Sequence, residues 1–353
     1  GAYQSGYPGR PRHPDGSRPD DTKPEEAESL RRPTPGTRSL MTATKAWVAG
    51  CVLLAGLVVL ALSVGTQGFG WGDGGSLLLL RSPRVLAALA AGLALGIGGA
   101  AQQGVFRNPL ADPGLTGVFG GALFGIAVLL GLFPEAAWQR AWFIPAAAFG
   151  GALGTSALLT LIGSGGSSSR LLLTGLGLNA FTAAGTLVIA SRSGESRELL
   201  TNGAYGDWLG MATLELTWLP VLLCLAAALL LLPLARSLDL LSFGEDAARG
   251  FGCEVGSARR KAVLLTALAA AAATCLVGQV AFIGLLAPHL ARALVGPRHA
   301  HVLPLSALLG AGLLLGADTI GRGLWPQAPL SAAAVTAILG APLFIWIARG
   351  RHE

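Results

Sequence analysis

Apolar and polar positions along this chain fall into long blocks. From Ala46 onward, apolar runs recur at about 46–66, 85–105, 114–132, 142–162, 171–190, 217–233, 262–278, 281–295, 303–321 and 330–347, joined by polar links. A helix of about 20 apolar residues crosses the hydrocarbon core of a bilayer, and it satisfies its own backbone donors and acceptors while doing so. The pattern therefore predicts ten crossing helices. The weakest run is 281–295, which is short and contains Pro288, His289 and Arg292. Whether it crosses decides whether the two chain ends share one side of the membrane.

Residues 1–44 have the opposite character. A stretch such as "RPRHPDGSRPDDTKPEEAES" has no apolar periodicity and too little apolar surface to bury, so this segment is expected to be a disordered extension. Gly1 reads as a processed or added end, and Met41, opening "MTATKAW" just before the first apolar run, reads as a natural start. The membrane domain is then residues 45–351.

Composition agrees: 52% of the 353 residues are hydrophobic and 12% charged, where a soluble domain carries about 25% charged residues. Fifty-one glycines suit helices that must approach closely in lipid, where large apolar side chains gain little by leaving the acyl chains. The net charge of +6 does not make a nucleic-acid face, because the basic residues are scattered among apolar runs and aromatics are few. Cys51, Cys224, Cys253 and Cys275 stand alone, without metal-ligand or disulfide spacing, and read as small apolar residues.

Lys and Arg in short links set the orientation. With ten spans and the N-terminus inside, the inner links and C-terminus hold eleven basic residues and the outer links six. The eight basic residues up to Lys45 push the same way, so both termini are expected in the cytoplasm. Arg81, Arg84 and Arg322 then face outward, against the bias.

Three links have character of their own. "RNPLADPG" (107–114) has two X-Pro steps and predicts a rigid connection between the second and third spans. The segment 236–261, "RSLDLLSFGEDAARGFGCEVGSARRK", predicts two short surface helices: Ser242 and Glu245 have the spacing of a capping box, Asp246 places negative charge in the first turn, and Gly250 and Gly252 can end the helix. The outer segment 191–216 predicts a short surface helix near 195–202, with Trp208 and Trp218 at the membrane interface.

The only lysines, Lys23, Lys45 and Lys261, are followed by Pro, Ala and Ala, so a GxxxxGK[ST] phosphate loop is absent and any driving ATP is bound by another chain. The spans carry no HExxH motif and no paired carboxylates for an intramembrane enzyme. Asp318 has Arg322 one helical turn away, which reads most simply as an ion pair; an ion-coupled secondary transporter would use such a carboxylate and stays open.

The stretches "RSPRVLAALAAGLALGIGGAAQQGVFRNPLADPGLTGV", "LDLLSFGEDAARGFG", "GQVAFIGLLAPHLARALVGPRHAHVLPLSALLGAGLLLGAD" and "APLSAAAVTAILGAPLFIWI" closely resemble the iron-siderophore, haem and cobalamin permease family, the membrane subunits of type II ATP-binding-cassette importers. The resemblance runs from about Ala46 to Arg351. It implies an all-α, multi-pass protein of the bacterial plasma membrane with ten transmembrane helices per subunit. It also implies a second copy of the chain, two ATPase subunits that hold ATP and Mg, and a periplasmic or surface-anchored binding protein. No cofactor or metal is expected in this chain.

Residue by residue, the resemblance implies that Ser242, Gly244, Glu245, Asp246, Ala247, Ala248, Arg249 and Gly252 belong to the coupling helices seated on the ATPases, and that Ser167, Ser168 and Ser169 lie at the cytoplasmic gate. It implies that Arg81, Arg84 and Arg322 receive glutamates from the binding protein, a task suited to guanidinium groups, which fork onto carboxylates and steer an approaching partner. Without the resemblance, Arg81 and Arg84 read equally as anchors for lipid headgroups. The family's Trp-x-x-Gly-Ser pattern before the sixth span is replaced by "WLGMATLELTW" (208–218), which leaves the shape of the mouth open. The expected cargo is an iron-siderophore or haem, with cobalamin the alternative.

Overall fold

The computed structural model describes residues 35–65, 68–70, 76–114, 117–133, 143–163, 168–192, 200, 208–324 and 327–349. Contacts divide the chain into two units, Gly1–Thr42 and Ala43–Glu353, and the second holds the helical bundle. Helix α1 is Pro35–Ser63, followed by a two-strand hairpin, β1 Val64–Gly65 against β2 Gly68–Phe69. Then come α2 Ser76–Phe106, α3 Val118–Leu132, α4 Phe143–Gly163, α5 Ser168–Arg192 and, after a 3-10 turn at Trp208–Met211, α6 Leu214–Leu231. Two short helices follow, α7 Ala235–Ser242 and α8 Glu245–Gly250, and then α9 Val255–Val277, α10 Ile283–Val295, α11 His299–Leu324 and α12 Ala332–Arg349.

A helix lies on each of the ten apolar runs. Seven of the described helices are long and apolar enough to cross a membrane, while α3 with 15 residues, α10 with 13 and the apolar part of α12, Ala332–Pro342, are shorter. At 1.5 Å per residue α10 reaches only ~20 Å, short of a ~30 Å core. The backbone of residues 35–44, expected to lack structure, is helical: α1 opens on Pro35, whose ring presets a helical φ and whose missing N–H costs nothing in the first turn.

Helix α2 is the axis of the bundle, packed against α6, α9, α10 and α11. Its span is 83% buried, whereas the apolar span of α1 is 11% buried and leaves Val52, Leu53 and Val59 exposed on the periphery. What lets α2 sit so deep is the small-residue pattern of Gly92 and Gly96. A Cβ at either position would collide with backbone of Gly310 or Ser306 on α11, so the two helices touch main chain to main chain. The core is accordingly dominated by alanine on α2 and α9, including Ala91, Ala94, Ala270 and Ala273.

The 107–114 connection is partly buried, with Asn108, Ala111, Asp112 and Pro113 inside and Arg107 exposed. Asn108 Oδ1 accepts the Leu110 amide (3.0 Å), Asp112 Oδ2 accepts the Gly114 amide (3.2 Å), and Asn179 of α5 donates to the Gly114 carbonyl (2.6 Å). These side chains take up backbone groups that the two prolines leave without helical partners.

Candidate docking and coupling sites

Two polar clusters occupy opposite ends of α11. At its C-terminal end, Asp318 is 1% exposed and bridges two guanidiniums: Arg84 of α2 places Nη2 at 2.7 Å and Nε at 2.9 Å from Oδ1, and Arg322 places Nε 3.1 Å from Oδ2. The Arg322 approach is a charge contact rather than an aligned hydrogen bond, because its Nη atoms are committed elsewhere, donating to the Val64 and Ala61 carbonyls (both 2.7 Å). Arg81 donates to the Leu62 carbonyl (2.8 Å) and the Gly70 carbonyl (2.7 Å). The end of α1 and the hairpin are thereby tied down by two arginines. Gly65 leaves room for this arrangement: a Cβ there would stand 2.7 Å from the Arg81 guanidinium and push it from its carbonyl partners.

The three arginines expected on the outer surface are thus brought together, but as a half-sunken cluster. Arg81 is 7% and Arg322 2% exposed, and only Arg84, with 20% of its side chain accessible, reaches out. All three line one open cavity of about 140 Å³, walled also by Gly65, Leu209 and Gly210. Among the described residues, Arg84 and Arg322 share the Asp318 carboxylate, while Arg81 is held by backbone carbonyls and a further contact. Arg84, partly accessible, is the guanidinium through which this cavity can meet an anionic group.

Trp208, expected at the membrane interface, is 7% exposed and packed in the core, where the 3-10 turn folds it inward; Trp218, on α6, is 56% exposed. The surface helix expected near 195–202 falls outside the described residues except for Leu200, which is buried.

At the other end of α11 lies the second cluster. Asp239 of α7 accepts both the His299 amide (2.9 Å) and a contact from His299 Nδ1 (2.7 Å), so one carboxylate caps the N-terminus of α11. Nearby, Arg292 of α10 hydrogen-bonds Gln103 of α2, whose amide donates to the Gly284 carbonyl (3.3 Å). Helices α7 and α8 are the two short helices the sequence predicts, yet the capping box does not form. Ser242 is the last residue of α7 and donates to the Asp239 carbonyl (2.6 Å), and the residue that caps α8 is Gly244 at φ 106°. Glu245 instead joins Arg249 (2.9 Å) and Arg259 of α9 (2.5 Å), and Arg249 also reaches Asp246 (2.8 Å). The Arg259 guanidinium, by its hydrogen bond first and its charge second, holds the Glu245 carboxyl below the usual carboxylate range. Gly252, at φ 78°, closes the unit, and its neighbour Cys253 donates back to the Ala248 carbonyl (2.9 Å).

Of the gate serines, Ser167 lies outside the described residues; Ser168 and Ser169 begin α5, with side chains outside the described set. The links Arg84–Asp318, Asp239–His299 and Arg259–Glu245 were not foreseen. The i, i+4 spacing of Asp318 and Arg322 was visible, but no local spacing reports which helix supplies a third member.

The FecCD transport family model matches residues 52–350. The chain is 41% identical over 275 residues to the ferric enterobactin transport system permease protein of Escherichia coli (strain K12), covering 76% of this chain and 80% of that protein. It is 37% identical over 283 residues to the hemin transport system permease protein of Yersinia pestis, covering 78% of this chain and 84% of that one. A solved metal-chelate type ABC transporter in an inward-facing conformation superposes with a TM-score of 0.74 at 27% identity, over 87% of this chain and 99% of its own. A match over most of the chain, with a shared fold and many apolar helices, leaves one conclusion: this multi-pass membrane protein belongs to the FecCD transport family.

Proposed function

We propose that this chain is the permease subunit of an ATP-driven importer, carrying an iron-siderophore or haem delivered by an external binding protein. The observation that carries the reading is the placement of the two clusters. His299 and Asp318 stand 19 positions apart on one helix, which at 1.5 Å per step separates them by about 28 Å, close to a bilayer core. An anion-accepting cavity at one face and a compact two-helix knob at the other are what a subunit needs if it is loaded from one side and driven from the opposite one.

In this reading all ten helices belong to the membrane body, with both termini in the cytoplasm, α7 and α8 seated on separate ATPase subunits, and the Arg81/Arg84/Arg322 cavity receiving carboxylates of the binding protein. A second copy completes the path; the apolar face of α5, with Leu173, Leu176, Phe181 and Leu187 exposed, is available for it. Cargo as an iron chelate or haem is supported by what the similar permeases are named for, which does not favour cobalamin. An ion-coupled carrier is disfavoured because Asp318, the carboxylate it would use, is engaged by two guanidiniums.

The test is ATP hydrolysis by the complex reconstituted with its ATPases, stimulated by binding protein loaded with each candidate cargo in turn. Stimulation by a ferric siderophore or haem is expected. Uptake that persists without the ATPases and collapses with the proton gradient would overturn the reading.

A further inference from the structure

A second cavity, of about 390 Å³, opens between α7 and the start of α9, on the flank of the two-helix knob. Its walls include Arg236, Ser237, Phe251, Glu254, Ser257 and Lys261. Arg236 and Lys261 are exposed, and neither makes a hydrogen bond or ion pair with any described residue. This contrasts with Arg249, Arg259 and Arg292 close by, each engaged by a carboxylate or an amide oxygen. Two idle cations with two hydroxyls at one concavity form a recognition site for an anion.

What adjoins the cavity identifies the anion's body. On α6, Leu214, Trp218, Leu222, Leu225 and Leu229 are all exposed and recur at intervals of three and four residues, an outward stripe along the helix, and Leu232, at the start of the 3-10 turn Leu232–Leu234 that follows, is exposed as well. At the end of that turn and just past it, Leu234 and Arg236 both line the cavity, so the apolar stripe of α6 ends beside it. On α9 the exposed Leu264 stands one turn from Lys261 on the membrane side. An apolar track leading into a cationic pocket fits a molecule that is a hydrocarbon at one end and an anion at the other. Soluble anions have no use for the track, and a soluble protein partner would leave it bare.

We propose that this cavity binds the headgroup of an anionic phospholipid, with the phosphodiester between Arg236 and Lys261 and the acyl chains along the α6 stripe. Basic pockets between helices at the membrane edge hold lipid phosphates in this way, the long side chains keeping their charges at the water boundary. Glu254 contributes an acceptor that suits a hydroxyl on the headgroup, which favours phosphatidylglycerol over a headgroup without hydroxyls. The bound lipid would wedge α7, one helix of the knob proposed to meet the ATPase, against α9, and so set how stiffly knob and membrane body move together. The site adds to the transport reading without needing it, since its test measures lipid retention rather than transport.

The test uses the full-length chain extracted from vesicles of phosphatidylcholine with phosphatidylglycerol, its retained lipid counted by native mass spectrometry. Wild type and Arg298→Gln, an exposed basic position with the same charge change, should retain phosphatidylglycerol, while Arg236→Gln and Lys261→Gln each lose most of it, about tenfold, with phosphatidylcholine unchanged. Excess inorganic phosphate should leave retention intact. Equal retention in all four proteins would overturn the proposal. Displacement by phosphate alone would make the site one for a free anion, and loss of ATPase co-purification at unchanged lipid retention would make it a protein contact; either result also overturns it.

Discussion

Arg84 and Asp318 stand 234 positions apart in the chain and meet with two guanidinium nitrogens converging on one carboxylate oxygen, Oδ1, while Oδ2 faces Arg322. This bridge joins the head of α2 to the tail of α11, the two helices whose glycines already bring their backbones into contact. The carboxylate is fully buried, and among the described residues its charge is met by these two guanidiniums; Arg322 in turn depends on it.

Asp318→Asn keeps the shape and removes the charge. It leaves a nearly buried Arg322 beside two other cations, and breaking one side of a buried pair costs about 3–5 kcal/mol. A clear fall in the melting temperature of the purified protein is expected, with partial recovery in the Arg84→Gln/Asp318→Asn double variant, which removes one repelling cation. An unchanged melting temperature in Asp318→Asn would show that the bridge carries no stability.

Arg84 and Arg322 should separate in function even though they share a partner. Arg322→Gln deprives the Ala61 and Val64 carbonyls of their donors, a loss of about 1–3 kcal/mol that unsettles the hairpin and appears as a lower melting temperature. Arg84 has the accessible guanidinium. Arg84→Gln should weaken association with the binding protein about tenfold at low salt, the difference shrinking as salt screens the charge. Equal binding losses in the two variants at matched stability would contradict the division of labour.

Helix positions were legible because hydropathy alone decides which segments enter lipid, and every apolar run became a helix. The knob of α7 and α8 was legible as two helices from its glycines and charges, but not in its capping. Ser242 sits three residues before Glu245 as a capping box requires; the chain instead extends α7 through Ser242 and turns at Gly244, where only glycine takes φ 106° at little cost. The arginines were legible as a group and misjudged in exposure. Sequence places them at a helix end, whereas the fold closes a hairpin over two of them, and nothing local in Val64–Phe69 announces that Ala61, Leu62, Val64 and Gly70 would offer their carbonyls.

The glycine contact between α2 and α11 makes a steric prediction. Gly96→Val must drive a branched side chain into the Ser306 carbonyl, main chain that cannot move aside as a flexible side-chain tip would. Separating the helices also pulls apart Arg84 and Asp318. Gly96→Val should yield little folded protein, while Gly150→Val, where a Cβ meets nothing within 4 Å, should be tolerated. The measurement is the monodisperse fraction after extraction, and a normal yield of Gly96→Val would refute the close contact.

Glu245 offers a pH test with a defined sign. Its carboxyl is held below the ordinary value of 4.5 by Arg259 and then Arg249, so the ion pairs add stability above that value and lose it as the pH falls through the lowered one. Glu245, Arg259 and Arg249 keep 31%, 41% and 55% of their side chains exposed, so solvent screening limits the contribution to under about 1 kcal/mol. Glu245→Gln should therefore barely change the melting temperature at neutral pH, and the small difference from wild type should vanish in acid. Its larger effect should be mechanical. Arg259 is the only described cation of α9 that Glu245 holds, and this link fastens the knob to the helix that enters the membrane. With it cut, the reconstituted complex should still hydrolyse ATP but import less cargo per ATP. An unchanged ratio of import to hydrolysis would show that force passes from knob to bundle by another route, with the Asp239–His299 cap the next link to break.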